Sequence, residues 1–233
     1  MHKNLDLYAK VEDLLGVKEV APNLYRYYID YLKTIKFDSI LDVGCGSGEF
    51  LLSIQKEFNP QKSLGVDLSR VMVEKAKAKG VNADLIDISN LNEKFNVITA
   101  VFDMLNYLNY PSLIEFLNSI QNTLTKDGIF ILDINSLDGF KSVAVGSYII
   151  DDDNRFLAID SYFTDKIYYS DFTLFTKKDN LYKKEQEIIN QYFYTVKDIE
   201  ALTELKLINM EIISLYEEID DKIFLVFQNR LES

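Results

Sequence analysis

The chain has 233 residues, 48% of them hydrophobic, enough to bury a full core and suited to one domain carrying an elaboration. Its 25 basic and 37 acidic residues leave a net charge of -12, which makes general attraction to nucleic acid or to an anionic membrane surface unfavourable. One cysteine and one histidine, His2, exclude an internal disulfide, a Ser-His-Asp or Cys-His triad and a metal site rich in imidazole or thiolate.

The opening MHKNLDLYAK lacks a charged-then-apolar leader pattern, and no apolar run reaches the length of a membrane span, so a cytoplasmic location is expected. From residue 38 to about 136 the periodicity alternates between strand and helix, the pattern of a parallel sheet covered on both faces. Ser39 to Val43 reads as the first strand. Phe50, Leu51, Ile54 and Phe58 then recur at helical spacing, with Pro60 beyond the helix end. Ser63 to Val66 is a second strand, and Ser69 caps a helix running through Lys79 to Gly80. Gly80 to Ala83 opens a third unit, and FNVITAV (95–101) is a fourth, buried strand. Pro111 and the Ser112 to Glu115 capping-box pattern are expected to start a helix whose stripe is Leu113, Phe116, Leu117, Ile120 and Leu124. A turn at 126–128 leads into a fifth strand, Ile129 to Ile134.

Beyond Asn135 the chain becomes aromatic and strand-like. FLAIDSYF, KIYYSDFTLFT and LYKKEQEIINQYFY read as antiparallel strands, with a hairpin turn at Lys178-Asp179-Asn180. Within this stretch, Asp151-Asp152-Asp153 before Asn154 reads as a solvated turn, and no metal is expected. Thr195 then caps a short helix carrying Ile199, Leu202 and Leu205, and strands at 210–216 and 222–227 complete the chain. The expected fold is α/β: a Rossmann-like, seven-stranded, mostly parallel sheet with helices on both faces, plus an antiparallel β insert after strand 5. The division is 1–136 with 195–233 for the main domain and 137–194 for an insert covering the substrate cleft.

LDVGCGSGEF (41–50) places a glycine-rich turn between a strand and a helix, a setting whose bare backbone suits an anionic or nucleotide-like ligand. The glycines fall at 44, 46 and 48. The dinucleotide fingerprint would want its third at 49, which is Glu49, so a nicotinamide oxidoreductase is disfavoured. Asp42 offers a carboxylate to a cation, and Asp67, ending the second strand in GVDLS, stands near the offset at which an acid accepts both ribose hydroxyls.

On these residues the chain resembles the class I S-adenosylmethionine-dependent methyltransferases. LDVGCGSG is similar to the family's first motif and GVDLS to its following acid, while AVFDMLNYL and GIFILDINS are similar to its strand 4 and strand 5 regions. Within the superfamily it looks most like bacterial sugar N,N-dimethyltransferases and related uncharacterised enzymes. The resemblance implies S-adenosylmethionine as cofactor and S-adenosylhomocysteine as product. It implies that Gly44, Cys45, Gly46 and Gly48 line the methionine and ribose, with Asp42 near the amine, Asp67 on the ribose and Leu68 against adenine. It assigns the adenine amino group to Asp84 and the ring to the Leu85 N–H, with Asp87 as the alternative. It also sets Phe102 and Asp103 beside the methionine and the methyl. Cys45 otherwise reads as a small residue in a tight loop.

Methyl transfer is an in-line displacement, so the protein chiefly aligns the reacting groups, and a carboxylate or tyrosine within reach can take a proton. Asp103, Asn106, Tyr107 and Asn135 are the candidates. Tyr8 and Tyr25 are read either as a lid or as helix packing. The acceptor is expected to be a small-molecule amine, carboxylate or hydroxyl, with no nucleic acid and no membrane as partner. The strand 4 end lacks the Asn/Asp-Pro-Pro-aromatic segment of base methyltransferases. A homodimer is compatible with this reading, and the alternative function is a non-catalytic S-adenosylmethionine sensor or partner subunit.

Overall fold

The computed structural model describes residues 6–143, 145–216 and 219–230; His2 lies outside them. Five strands, β1 (Ser39–Val43), β2 (Lys62–Asp67), β3 (Ala83–Leu85), β4 (Phe95–Ala100) and β5 (Leu124–Asn135), join β10 (Lys206–Ile213) and β11 (Lys222–Gln228) in one sheet. Its order is β10-β11-β5-β4-β1-β2-β3. β1, β2, β3, β4 and β5 pair in parallel, and β11 runs antiparallel to both β5 and β10. The order reverses beside β1, and an open sheet of this kind holds ligands at the carboxyl ends of the strands flanking that reversal.

The helices cover both faces for the reason their periodicity gives. On α5 (Tyr110–Thr123), Leu113, Phe116, Leu117 and Ile120 share one stripe and bury it against Phe130 and Leu132 of β5. On the other face, α2 (Val17–Leu32) buries Leu24, Tyr28 and Leu32 at four-residue spacing, beside Phe50, Leu51 and Ile54 of α3 (Glu49–Phe58). α4 (Arg70–Ala78) begins at Ser69, whose hydroxyl accepts the Met72 N–H, and stops at Gly80, whose φ is +86°. The cap of α5 differs from the expectation at Ser112. Asn109 caps it instead, its side-chain amide oxygen accepting the Ser112 N–H at 3.1 Å, and Pro111 then falls in the first turn, where its missing N–H costs nothing.

A second, antiparallel sheet comprises β6 (Gly146–Asp151), β7 (Arg155–Thr164), β8 (Ile167–Lys178) and β9 (Leu181–Tyr192), in that order. Asp179 takes a left-handed φ of +55° in the β8–β9 turn. Between β6 and β7, Asp152 accepts the Asn154 and Arg155 N–H groups and the Arg155 guanidinium, which accounts for the acidic run as a turn. One face of this sheet packs Leu157, Ile159, Phe172, Leu174 and Ile189 against Leu7 and Val11 of α1 (Asp6–Val11). Arg155 reaches Asp13 with two parallel hydrogen bonds of 2.9 and 2.8 Å, and Lys10 pairs with Glu185 at 2.6 Å. The N-terminal segment is thus fastened to the second sheet. After the sheet, Thr195 and Asp198 form a reciprocal capping box on α6 (Val196–Glu200). No helix among the described residues is long and apolar enough to cross a membrane.

Candidate functional site

The glycine loop is hooked onto the neighbouring strand. The Gly44 and Cys45 N–H groups both donate to the Val66 carbonyl, at 2.8 and 3.1 Å. Asp67 holds the loop from the side: one carboxylate oxygen accepts the Gly46 N–H at 2.9 Å and the other the Ser69 N–H at 2.7 Å. An ionised carboxylate offers about four acceptor directions, so capacity remains for a ligand's hydroxyl. Burial pushes the Asp67 carboxyl up, and the surrounding N–H groups pull against that. A Cβ on Gly46 would meet nothing within 4 Å, so the loop turns its open side outward there; Gly44, at φ +72°, would drive a Cβ to 2.9 Å from Met104.

Asp42 sits beneath this loop, 2% exposed, with the Thr99 hydroxyl donating to it at 2.7 Å. Burial pushes its carboxyl up to about 7; the Thr99 bond opposes this and the nearby Asp67 adds to it. A carboxylate so deprived of a countercharge fits a cation, and S-adenosylmethionine brings an ammonium. The residues present therefore fit that cofactor.

A single cavity of about 840 Å³ runs from this loop to the underside of the second sheet. Of the sequence-selected cofactor residues, Asp42, Gly44, Cys45, Gly46, Asp67, Leu68 and Phe102 line it. Three do not. Gly48 faces away, where a Cβ would press on Val81 and Ala76 at 2.9 and 3.1 Å, so its role is close packing of α3 against the β3 unit. Asp84 and Leu85 are exposed, and Asp84 lies 3.5 Å from Lys77. β3 is only three residues long, and the chain enters the cavity just after it, with Ile86, Asp87 and Ile88. The alternative, Asp87, is the acid the fold brings to the site. Cys45 lines the cavity, but burial pushes its thiol well up, so no thiolate is available.

The proton-handling candidates divide in the same way. Tyr107 lines the cavity, whereas Asp103 and Asn135 lie behind its wall. There the Lys222 ammonium, fully buried, donates to Asp103, to Asp133 at 2.9 Å and to Asn135 at 3.0 Å. Burial works against the Lys222 charge, and the two carboxylates outweigh it and raise its pKa. Asp133 also accepts the Phe102 and Asp103 N–H groups at 2.8 and 2.9 Å and the Tyr28 hydroxyl at 2.6 Å. Phe102 and Asp103 have φ of +59° and +47°, an unfavourable pair for non-glycine residues, held by this carboxylate. Asp103 is thus engaged in an ion pair and accepts a further bond from Gln191 of β9. Asn106 is likewise occupied, accepting the Asn135 N–H and donating to the Tyr192 carbonyl. These contacts clamp the second sheet to the end of β4.

Sequence reasoning overlooked Lys222, Asp133, Gln191 and Tyr28. The one local signal was a lysine opening an otherwise apolar strand, KIFLVF. Tyr8 and Tyr25 both line the cavity. Tyr25 packs edge-on against Phe50 and Phe102, with centroids 5.1 and 6.0 Å apart. Burial pushes the phenols of Tyr8 and Tyr107 well above their usual range, with Asp103 reinforcing the shift in both, so both stay protonated near neutral pH. No group of three or more His, Cys, Asp or Glu among the described residues is placed to hold a metal ion.

Residues 40–128, spanning the glycine loop, Asp67, Asp87 and the start of β5, match the family described as Methyltransferase domain. A demethylmenaquinone methyltransferase of Bacteroides fragilis is 28% identical over 49% of this chain and 51% of its own. The chain spans about half the length of the curated relatives it first matches. In fold, it is similar to an S-adenosylmethionine-dependent methyltransferase from Clostridium acetobutylicum, with a TM-score of 0.78, 24% identity and coverage of 95% of this chain and 98% of that one. It is also similar to the S-adenosylmethionine-bound amino pentose methyltransferase CalS10 from Micromonospora echinaspora, with a TM-score of 0.66, 18% identity and coverage of 98% and 100%.

Proposed function

We propose that this chain, which carries a methyltransferase domain of the S-adenosylmethionine-dependent kind, methylates a small-molecule acceptor bound beneath its second sheet. The observation that carries this reading is the continuity of the cavity. Asp42, Asp67 and Asp87 line one part, while Tyr8, Ile189 and Tyr192 line another. Its volume of about 840 Å³ is toward the upper end for small-molecule sites, which leaves room for two ligands side by side. The sugar-modifying activity named for CalS10 agrees with an acceptor of that size.

The cofactor supplies an electrophilic methyl on a sulfonium. The chain's own part is positional. In this reading Asp42 faces the amine, Asp67 the ribose hydroxyls and Asp87 the adenine amino group, while the Phe102 backbone, pinned by Asp133, borders the methyl. Asp103 and Asn135 act through this scaffold instead of touching the acceptor. Tyr107, kept as a phenol, orients the acceptor by hydrogen bonding and does not serve as a base. We further propose residues 137–194 as a substrate-covering insert.

Three measurements test the reading. Mass spectrometry of ligand released from purified protein should find S-adenosylmethionine or S-adenosylhomocysteine, and NAD in their place would overturn it. Transfer of labelled methyl to amines, alcohols or carboxylic acids distinguishes an enzyme from a binder, since tight binding with no turnover on any acceptor favours a sensor. Asp87→Ala should weaken S-adenosylhomocysteine binding by about tenfold while Asp84→Ala leaves it within about twofold. The reverse ranking would restore Asp84.

The Asp42 carboxyl gives a pH test. With its pKa raised to about 7, it is largely protonated below pH 7 in the empty cavity, and a bound ammonium favours the ionised form. Affinity for S-adenosylhomocysteine should therefore rise as pH increases from 6 to 8. The stability of the ligand-free protein runs the other way: the folded state holds the proton more tightly than the unfolded chain, so Asp42's contribution falls between pH 4 and 7. Affinity that is flat with pH in calorimetry would remove Asp42 from the amine.

A further inference from the structure

A second cleft, of about 820 Å³, lies between α1, α4 and the β8–β9 end of the second sheet. Eight basic residues and three acidic ones line it, in a chain whose 37 acids outnumber its 25 bases. Positive charge is thus concentrated in one place on an otherwise acidic molecule.

Helices and sheet each supply part of it. Lys10 of α1, Lys18 of α2, Lys75 of α4 and Lys79 just after it come from one side, while Arg155 of β7, Lys178 of β8 and Lys183 of β9 come from the other. Lys183 stands opposite Thr176 in the β8–β9 ladder, and Glu185 stands opposite Leu174. By the pleat, Leu174, Thr176, Lys178, Lys183 and Glu185 therefore share the face that meets α1, and Lys177 leaves the other face.

The acids of the cleft are already engaged. Glu185 lies 2.6 Å from Lys10 and 3.3 Å from Lys183, Glu12 lies 3.1 Å from Lys75, and Asp13 lies 2.8 Å from Arg155. Lys10 and Arg155 hold the Glu185 and Asp13 carboxyls below their ordinary range. Glu49 and Asp152 reach Lys79 and Arg155 from outside the lining. Even with those two counted, the seven cations other than Lys177 meet only five carboxylates, and Lys18 and Lys178 form no ion pair with a described residue.

We propose that this cleft binds an oligophosphate, a small molecule carrying two or more linked phosphate groups, at a site distinct from the larger cavity. Linked phosphates set several negative charges and acceptor oxygens side by side, which suits separate lysine heads that each act as a point charge. A lone carboxylate would meet one head and leave the others without a countercharge. The two sites adjoin, since Glu12, Lys18 and Ser47 line both, yet they differ in sign. Asp42, Asp67 and Asp87 give the larger cavity its affinity for a cation-bearing ligand. In this assignment the oligophosphate is neither methyl donor nor methyl acceptor.

Calorimetry of the full chain with sodium tripolyphosphate is the test. Binding should be one to one, and raising the salt from about 0.05 M to about 0.5 M should weaken it by about tenfold or more, because exposed charges are screened. Lys178→Gln with Lys183→Gln should also weaken it by about tenfold or more. Lys36→Gln with Lys56→Gln removes the same charge from exposed positions that line neither cavity, and should leave it within about twofold. All four lysines are exposed, so both double variants should melt close to the original. Tripolyphosphate should still bind when S-adenosylhomocysteine is saturating. No binding at the lower salt, an equal loss in the two double variants, or citrate bound as tightly as tripolyphosphate overturns the assignment. Complete displacement of tripolyphosphate by S-adenosylhomocysteine would move the anion into the larger cavity and overturn it too.

Discussion

Lys222→Met is expected to lower the stability of the protein by about 3 to 5 kcal/mol, the usual cost of removing one partner from a buried charge cluster. The lysine is wholly enclosed, and its removal leaves the Asp103 and Asp133 carboxylates facing one another without a countercharge. Methionine fills the volume but neutralises nothing. The loss should appear as a lower urea midpoint at unchanged slope. Adding Asp103→Asn and Asp133→Asn to the same chain should recover part of it, because two neutral amides no longer repel. The cofactor site should suffer as well, since Asp133 holds the left-handed Phe102 and Asp103 backbone through their N–H groups. A change below about 1 kcal/mol would mean that the cluster is hydrated and the ion pairs are weak.

Asp67→Ala should weaken S-adenosylhomocysteine binding by about 1 to 3 kcal/mol through the lost ribose contacts. Asparagine is not a mild replacement at this position. Both carboxylate oxygens already accept backbone N–H groups, from Gly46 and Ser69, and an amide would set its own NH₂ against one of them. Asp67→Asn should therefore bind poorly too, with the glycine loop loosened, readable as faster hydrogen exchange at Gly46. A dissociation constant unchanged in Asp67→Ala by calorimetry would refute the ribose assignment.

The parts of this molecule that were legible in its sequence are those set by near neighbours. The alternation of strand and helix, the Ser69 and Thr195 caps, the Asp179 turn and the pairing of LDVGCGSG with GVDLS all rest on spacings of a few to about twenty residues. The cluster behind the cavity was not legible. Asp103 follows β4, Asp133 lies near the end of β5 and Lys222 opens β11, with Lys222 119 residues from Asp103 and 89 from Asp133, and each alone looks like an ordinary polar residue at a strand boundary. For that reason the sequence alone offers Asp103 and Asn135 as candidates to meet the acceptor, while the fold sets both behind the cavity wall. Asp84 and Asp87 show a different limit. They are three residues apart, and only the early end of β3 decides which one turns inward. Ser112 was a correct capping residue by type, yet Asn109 stood before Pro111 and closed the helix first.

The fastening of α1 to the second sheet has a thermodynamic side. Leu7 and Val11 share their apolar cluster with Ile189, and Lys10 and Asp13 are gripped by Glu185 and Arg155, while Tyr8 of the same helix lines the cavity with Asp67. Roof and wall are one piece. A change that loosens α1 therefore reaches both parts of the cavity lining at once.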